Sequence, residues 1–366
     1  MRTAKVLGIG KAFRIFLGAV VVVYCLLIFR KVTVIRLNLQ WDLEVYRAAG
    51  KAILGGGNPM DVVSGEGLKF YYPITAWPFC ALTAMFGKVN AYFLFLYVKV
   101  FALATLCWNW SRNCIIPHSP LCSSVGPAWV LVFVCIFGFN GAIYQDLMSG
   151  NVAIFEQLFL WLGFVYALRE KWGRYVFFVT LAASFKGVLF VFLGIPLVMA
   201  GLRVRVLILG IVLLAAGLSL WSGYYEILCA MPDQIIVQIF WWAAPVITAS
   251  IGICGAGLLL RCRARSDVVG MFYLLCVLVA LTSFPQAYNY IILIPVAVSM
   301  ILLSPGLFSP IVPLAIISAA VGFHRLFPFP TVEVVRFYPW FLALAMLVWF
   351  ILRNVSWPKS ASSSVG

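Results

Sequence analysis

Acidic residues are scarce in this chain, 11 among 366, and four of them, Asp42, Glu44, Asp61 and Glu66, stand just after the first apolar run. Asp42 and Glu44 belong to Trp41-Asp42-Leu43-Glu44-Val45-Tyr46-Arg47, which continues through Ala49-Gly50 to the glycines at 55–57 and to Asn58-Pro59. Two kinds of work are open to a carboxylate placed there. It can cap a helix, a role worth about 1 kcal/mol, or it can take a proton from a hydroxyl at the boundary between water and membrane. Glu44 reads first as a solvated charge that complements the helix dipole. Lys186, in Ala183-Ser184-Phe185-Lys186-Gly187, also calls for an explanation. An isolated lysine among apolar neighbours is costly unless it snorkels to a surface or meets an anion. The triple glycine is a turn, because no Gly-Lys-Ser/Thr follows it to form a phosphate loop.

The elements that must position these residues are helices. Leu43, Tyr46, Gly50, Ile53 and Leu54 recur at helical spacing, which predicts a short helix lying along a membrane surface and ended by the glycines. With 64% hydrophobic residues, a mean hydropathy of +1.06, 30 Phe and 13 Trp, the composition excludes a soluble globular domain. An all-α polytopic membrane protein is expected. The formal charge of +15 is spread in clusters between apolar segments, so it points to membrane orientation and not to a nucleic-acid partner. The 10 cysteines include no Cys-x-x-Cys pair and there are 2 histidines, so neither a disulfide framework nor a metal site is indicated.

Charge between the apolar runs sets a topology. Arg2, Lys5, Lys11 and Arg14 precede the run 15–29, which keeps the N-terminus in the cytoplasm and the first outer loop, about 37–89, outside. Phe29-Arg30-Lys31 supplies no small-residue cleavage site, so the run reads as a retained anchor. Residues 71–87 are short for a crossing, and Pro73 and Pro78 interrupt them, which predicts a half-inserted outer helix. Crossings follow at 90–110, 125–139 and 152–168, with the polar turn 144–151 outside. The run 175–201 has Arg169 to Arg174 at one end and Arg203 and Arg205 at the other, so it predicts two half-helices with Ser184 to Gly187 at the outer turn. Further crossings are expected at 206–221, 241–260, 268–284, 291–303, 306–322 and 337–352, separated by outer loops at 222–238 and around His324 to Arg336 and by the inner cluster Arg261, Arg263 and Arg265. The sum is about 10–12 transmembrane helices in one domain, 1–359, with both termini inside and a polar tail at 360–366. Of the acidic residues only Glu170 and Asp267 fall at basic inner turns, which puts the polar chemistry outside. Lys99, in the middle of an apolar run, is left to snorkel, to face a cavity or to mark a wrong boundary, and Asp146 reads as a loop charge.

A family resemblance runs through these same residues. Trp41 to Tyr46 with Ala49-Gly50 and Gly57-Asn58-Pro59, Phe70-Tyr71-Tyr72-Pro73, Ser149-Gly150-Asn151, Ala183-Ser184-Phe185-Lys186 with Pro196, and Ser283-Phe284-Pro285-Gln286 ahead of an aromatic run resemble, in that order, the GT87 (DUF2029) integral-membrane glycosyltransferases. The resemblance implies a GT-C-like fold whose first outer loop carries surface-lying helices. It implies transfer of a sugar, often mannose, from a polyprenyl-phosphate donor to a lipid or glycan acceptor on the outer face of the plasma membrane, with no cofactor. An acidic residue of the first outer loop serves as base in that family, and Asp42 stands at the matching position. Asn289 stands where relatives often carry a histidine, so no histidine role carries over.

For such a transfer one carboxylate suffices, since a phosphate leaves without a general acid. The departing phosphate needs cations, for which Lys186 is the buried candidate and Arg325 and Arg336 the candidates on the third outer loop. Trp41, Tyr71 and Tyr72 either stack on sugar faces or sit in the interfacial aromatic belt. Glu44, Tyr46, Asn151, Gln286 and Asn289 are the remaining candidates for substrate contact within the matching stretches. A flippase for lipid-linked sugars would be expected to show matching halves, and none is evident. A polymerase or ligase of lipid-linked glycans would share an outer-face site but would call for a larger outer loop. The topology has a direct test: in a background lacking reactive cysteines, a cysteine at position 56 is expected to react with a membrane-impermeant maleimide from outside, and one at position 361 only after permeabilisation.

Overall fold

The computed structural model describes residues 40–64, 68–70, 72–115, 117, 142–222, 244–264, 266–282, 287–303 and 342–351. The expected crossings at 15–29, 125–139 and 306–322, the polar tail, the second outer loop beyond Ser222 and the whole of the third lie outside these residues. Among the described residues the chain is 85% helical, with 12 α-helices and no strand.

The first helix, α1 (Trp41–Leu54), follows from its sequence. Asp42 and Glu44 in its first turn and Lys51 in its last complement the dipole, and Gly55 and Gly56, the latter at φ +75°, end it. Gln40 occupies the capping position and its side chain makes no cap bond, so Asp42 is the second helical residue and not the cap. Leu43, Tyr46 and Gly50 are buried as their spacing predicted. Leu54, placed on the same face by spacing, is exposed at the helix end.

The buried face of α1 meets α2 (Trp77–Ala84). The fit depends on Gly50, since a Cβ there would run into the Cys80 carbonyl. Arg47 reaches across to donate to the carbonyls of Thr83 (3.1 Å) and Phe86 (2.7 Å) at the end of α2, where carbonyls have no helical partner. Pro73 and Pro78 start structure and do not break it: Pro73 caps a 3₁₀ turn, Ile74–Ala76, and Pro78 is the second residue of α2, where a missing N–H costs nothing.

Next comes α3 (Lys88–Trp110), which at 23 residues spans the expected 90–110 run. Then α4 (Ala142–Ser149), α5 (Ala153–Ala167) and α6 (Trp172–Ala183) lead to a turn at 184–186. A 3₁₀ stretch, Gly187–Leu193, runs directly into α7 (Gly194–Met199). This is the hairpin of two short pieces expected over 175–201. The chain continues as α8 (Leu202–Trp221), α9 (Ala244–Ala264), α10 (Val268–Thr282), a 3₁₀ stretch at Ala287–Leu293, α11 (Ile294–Leu303) and α12 (Leu342–Ile351). Among the described residues two helices are long and apolar enough to cross a membrane: Lys88–Cys114, which includes the turn after α3, and Leu202–Trp221. Several of the other expected crossings are shorter than a straight crossing of about 20 residues, and two are built from a 3₁₀ piece followed by an α-helix. Pro196 and Pro295, each in the first turn of its helix, have no N–H for the turn before, which suits a tight approach there.

The main core is aromatic. Trp161 of α5 sits edge-on to Trp110, Phe164, Phe272 and Tyr273, and its indole donates to Gln157. A second, smaller cluster around Leu43, Tyr46, Phe70 and Phe95 joins α1 to α3. By contrast α8 buries only Ile208. Gly50→Ala is expected to lower stability by about 1–3 kcal/mol, because the α1–α2 contact must open. Thermal unfolding in detergent checks this, with Gly87→Ala as control, since a Cβ there meets nothing within 4 Å.

Candidate functional site

The site is assembled where α1 meets the turn between α4 and α5. Gly150, at φ +73°, makes that turn possible, and its lack of a side chain lets α1 approach: an added Cβ would lie 2.9 Å from the Leu43 Cβ and 3.1 Å from that of Gln40. The next residue, Asn151, is buried and donates from Nδ2 to Asp42 Oδ2 at 2.9 Å and to the Tyr72 hydroxyl at 3.3 Å. Its Oδ1 accepts from the Ala153 amide at 3.1 Å, so the orientation of the amide is fixed at both ends.

Tyr46 donates its hydroxyl proton to that of Tyr72 at 2.6 Å, and the two rings meet edge to face at 4.9 Å. Tyr72 therefore accepts twice and keeps its own proton for a further acceptor. Burial pushes both phenols well above their ordinary range, with the charge of Asp42 adding to it, so they act as neutral hydroxyls. Asp42 itself is half-buried. Burial raises its carboxyl above the ordinary range, and hydrogen bonds from Asn151 and Ser149 and the charge of Lys99 oppose the rise.

Lys99 is not at a surface. It reaches from α3 into the α4–α5 turn, where Nζ pairs with Asp146 Oδ2 at 2.6 Å and donates to the carbonyls of Asp146 (2.5 Å) and Asn151 (2.7 Å). Both side chains are 0% exposed. The reading of Asp146 as a loop charge is thus corrected: it is the buried counter-ion of Lys99, held further by the Ala153 amide at its Oδ1 (3.0 Å). No local pattern announces this pair, since its members are 47 residues apart.

Lys186, at the turn of the hairpin, donates to Asn289 Oδ1, and the carboxylate of Glu156 on α5 lies within electrostatic reach of it. Tyr288 lies within electrostatic reach of Asp42, Glu156 and Asp146, and so connects the two halves of the cluster. The Thr75 hydroxyl donates to the Ser184 carbonyl at 2.8 Å, and Phe79 meets Phe185 edge-on at 5.4 Å, which ties α2 and the 3₁₀ turn before it to the hairpin.

Of the candidates named from sequence, Asp42, Tyr46, Tyr72 and Asn151 are brought into one bonded group, and Lys186 and Asn289 into another. Glu44 lies two residues from Asp42, on the opposite side of α1, and pairs with Lys88 at 3.4 Å. Trp41 is exposed. Gln286, Arg325, Arg336 and Tyr71 lie outside the described residues. Glu156 and Tyr288 join the cluster without having been singled out. Glu156 carried a signal, as a carboxylate one helical turn inside an apolar run.

Compared with family models, curated proteins and solved structures, the chain matches none. Replacing Lys99 alone by Met leaves Asp146 buried without its counter-ion and is expected to cost about 3–5 kcal/mol, whereas Lys99→Met combined with Asp146→Leu recovers most of that loss. Thermal unfolding of both variants in the same detergent makes the comparison.

Proposed function

We propose that this chain is a polytopic, GT-C-type inverting glycosyltransferase that moves a hexose, mannose first among candidates, from a polyprenyl-phosphate donor to a lipid or glycan acceptor on the outer face of the plasma membrane. One observation carries the reading. The stretches that carry the GT87 resemblance are far apart in sequence, and their polar residues converge: Asp42 on Asn151 across 109 positions, Asn151 on Tyr72 across 79, and Lys186 on Asn289 across 103. The membrane setting draws support from composition and from α8, whose hydropathy of 2.3 over a surface buried only at Ile208 suits lipid better than water.

The chemistry follows from the residues. Asp42, with one oxygen fixed by Asn151, takes the proton of the acceptor hydroxyl as that oxygen attacks the anomeric carbon. The bond from the anomeric carbon to the donor phosphate oxygen breaks, polyprenyl phosphate leaves, and the anomeric centre inverts. Partial burial keeps Asp42 more basic than a surface carboxylate, as a base requires. Lys186 is the cation for the leaving phosphate. The bond to Asn289 uses one of its three protons, whereas Lys99 has all three committed.

Purified protein in lipid, given radiolabelled polyprenyl-phosphate mannose and a membrane lipid extract, is expected to transfer label, and Asp42→Asn to reduce kcat by about 100-fold or more at unchanged protein level. Because Asp42 is raised, activity falls on the acid side at a pH above the ordinary carboxylate range and is full only once the carboxyl is ionised. Lipid scrambling indifferent to Asp42→Asn, with no transfer, would sink the proposal in favour of a flippase.

A further inference from the structure

Lys99 takes no part in the transfer outlined above, yet its side chain is 0% exposed and every proton it carries is engaged. An ion pair alone would need only a carboxylate. Here two of the three donors go to main-chain carbonyls at residues 146 and 151, the two ends of the turn that carries Asn151. Asp146 then fixes the Ala153 amide, and the same amide holds Oδ1 of Asn151. The route from Lys99 to Asp42 is therefore continuous: ammonium, Asp146 carboxylate, Ala153 amide, Asn151 side chain, Asp42 Oδ2. Gly150, set against Leu43 and Gln40, transmits any shift of the turn to the start of α1.

We propose that Lys99 is the positioning residue of the Asp42 site: by clamping the end of α4 and the turn after it, Lys99 aims the Asn151 amide at Asp42. The assignment rests on the transferase reading above for its catalytic consequence, but its geometric part does not. Asp42 is faced by Tyr46 of its own helix, Tyr72 of the outer loop, Ser149 and Asp146 at the end of α4, Lys99 of α3 and Tyr288 of the late 3₁₀ stretch, with Glu156 behind Tyr72 and Tyr288. Among these groups Lys99 alone is cationic. Its removal lets Asp42 hold its proton to a higher pH and frees the Asn151 amide to turn.

Two readouts on the full chain in detergent or lipid test this. The first is kcat and KM with radiolabelled polyprenyl-phosphate mannose. The second needs no catalysis: labelling of Asp42 by a hydrophobic carbodiimide, which reacts with the protonated carboxyl, followed across pH by peptide mass spectrometry. In Lys99→Met/Asp146→Leu, kcat is expected to fall about 100-fold with KM little changed, and the labelling midpoint to move to higher pH. A folded double variant with wild-type kcat and an unmoved midpoint overturns the proposal. A wild-type protein that transfers nothing, with a midpoint that still moves in the variant, sinks the transferase reading and upholds the positioning role. Should the double variant not fold, Asp146→Asn, which keeps the shape of the turn and an acceptor for Ala153, is read by the same measurements. Wild-type kcat and midpoint there overturn the proposal, and a loss of kcat with a moved midpoint supports it.

Discussion

The Lys99 side chain is wholly buried against the Asp146 carboxylate, and much of the local structure answers to it. Moving an ammonium ion out of water carries a desolvation penalty of several kcal/mol even after relaxation, which only close opposite charge and saturated hydrogen bonding offset. Asp146 supplies the charge and two carbonyls complete the shell. Those carbonyls are available only if the chain reverses between α4 and α5, so the lysine dictates the turn as much as the turn accommodates the lysine. Everything that faces Asp42 from that side inherits its position from this arrangement.

Around the clamp the molecule divides its labour. The aromatic core of Trp110, Trp161, Phe164 and Phe272 holds the long helices together, while the α1–α2 pair is joined by close approach at Gly50 and by the Arg47 guanidinium. The charged side chains of Asp42, Lys99, Asp146, Glu156 and Lys186 gather at the seam between the two parts. Inside that seam the carboxylates of Asp42, Asp146 and Glu156 face two ammonium groups. Lys99 is taken by Asp146 and Lys186 stands opposite Glu156, which leaves Asp42 as the carboxylate with neutral partners, Asn151 and Ser149. A base needs such surroundings, since an ammonium bound directly to it would lower its affinity for a proton.

What sequence could convey follows from the range over which each force acts. The helix α1, its glycine stop and the hairpin turn at Lys186 are local matters of periodicity, backbone freedom and charge, and all were readable. Asp42 was readable as well, although its capping reading failed because the helix starts at Trp41, two residues earlier than a cap at Asp42 requires. The Lys99–Asp146 pair was not, because a lysine in an apolar run announces a need for an anion without saying which one. Likewise Tyr288 looked like part of an aromatic run, and only the fold turns it toward Asp42. The shortened segments escaped for a related reason: hydropathy measures how apolar a run is and is blind to whether it winds as one helix or as a tight turn followed by one.

Position 150 shows what this seam implies for the chain's history. With its backbone at φ +73° and α1 resting almost on its Cα, the residue there meets two separate demands, one of conformation and one of volume, and asparagine, which tolerates the first, fails the second. Glycine meets both demands without strain and without a shift of α1. The exposed apolar positions of α8, which touch little of the fold, carry neither demand.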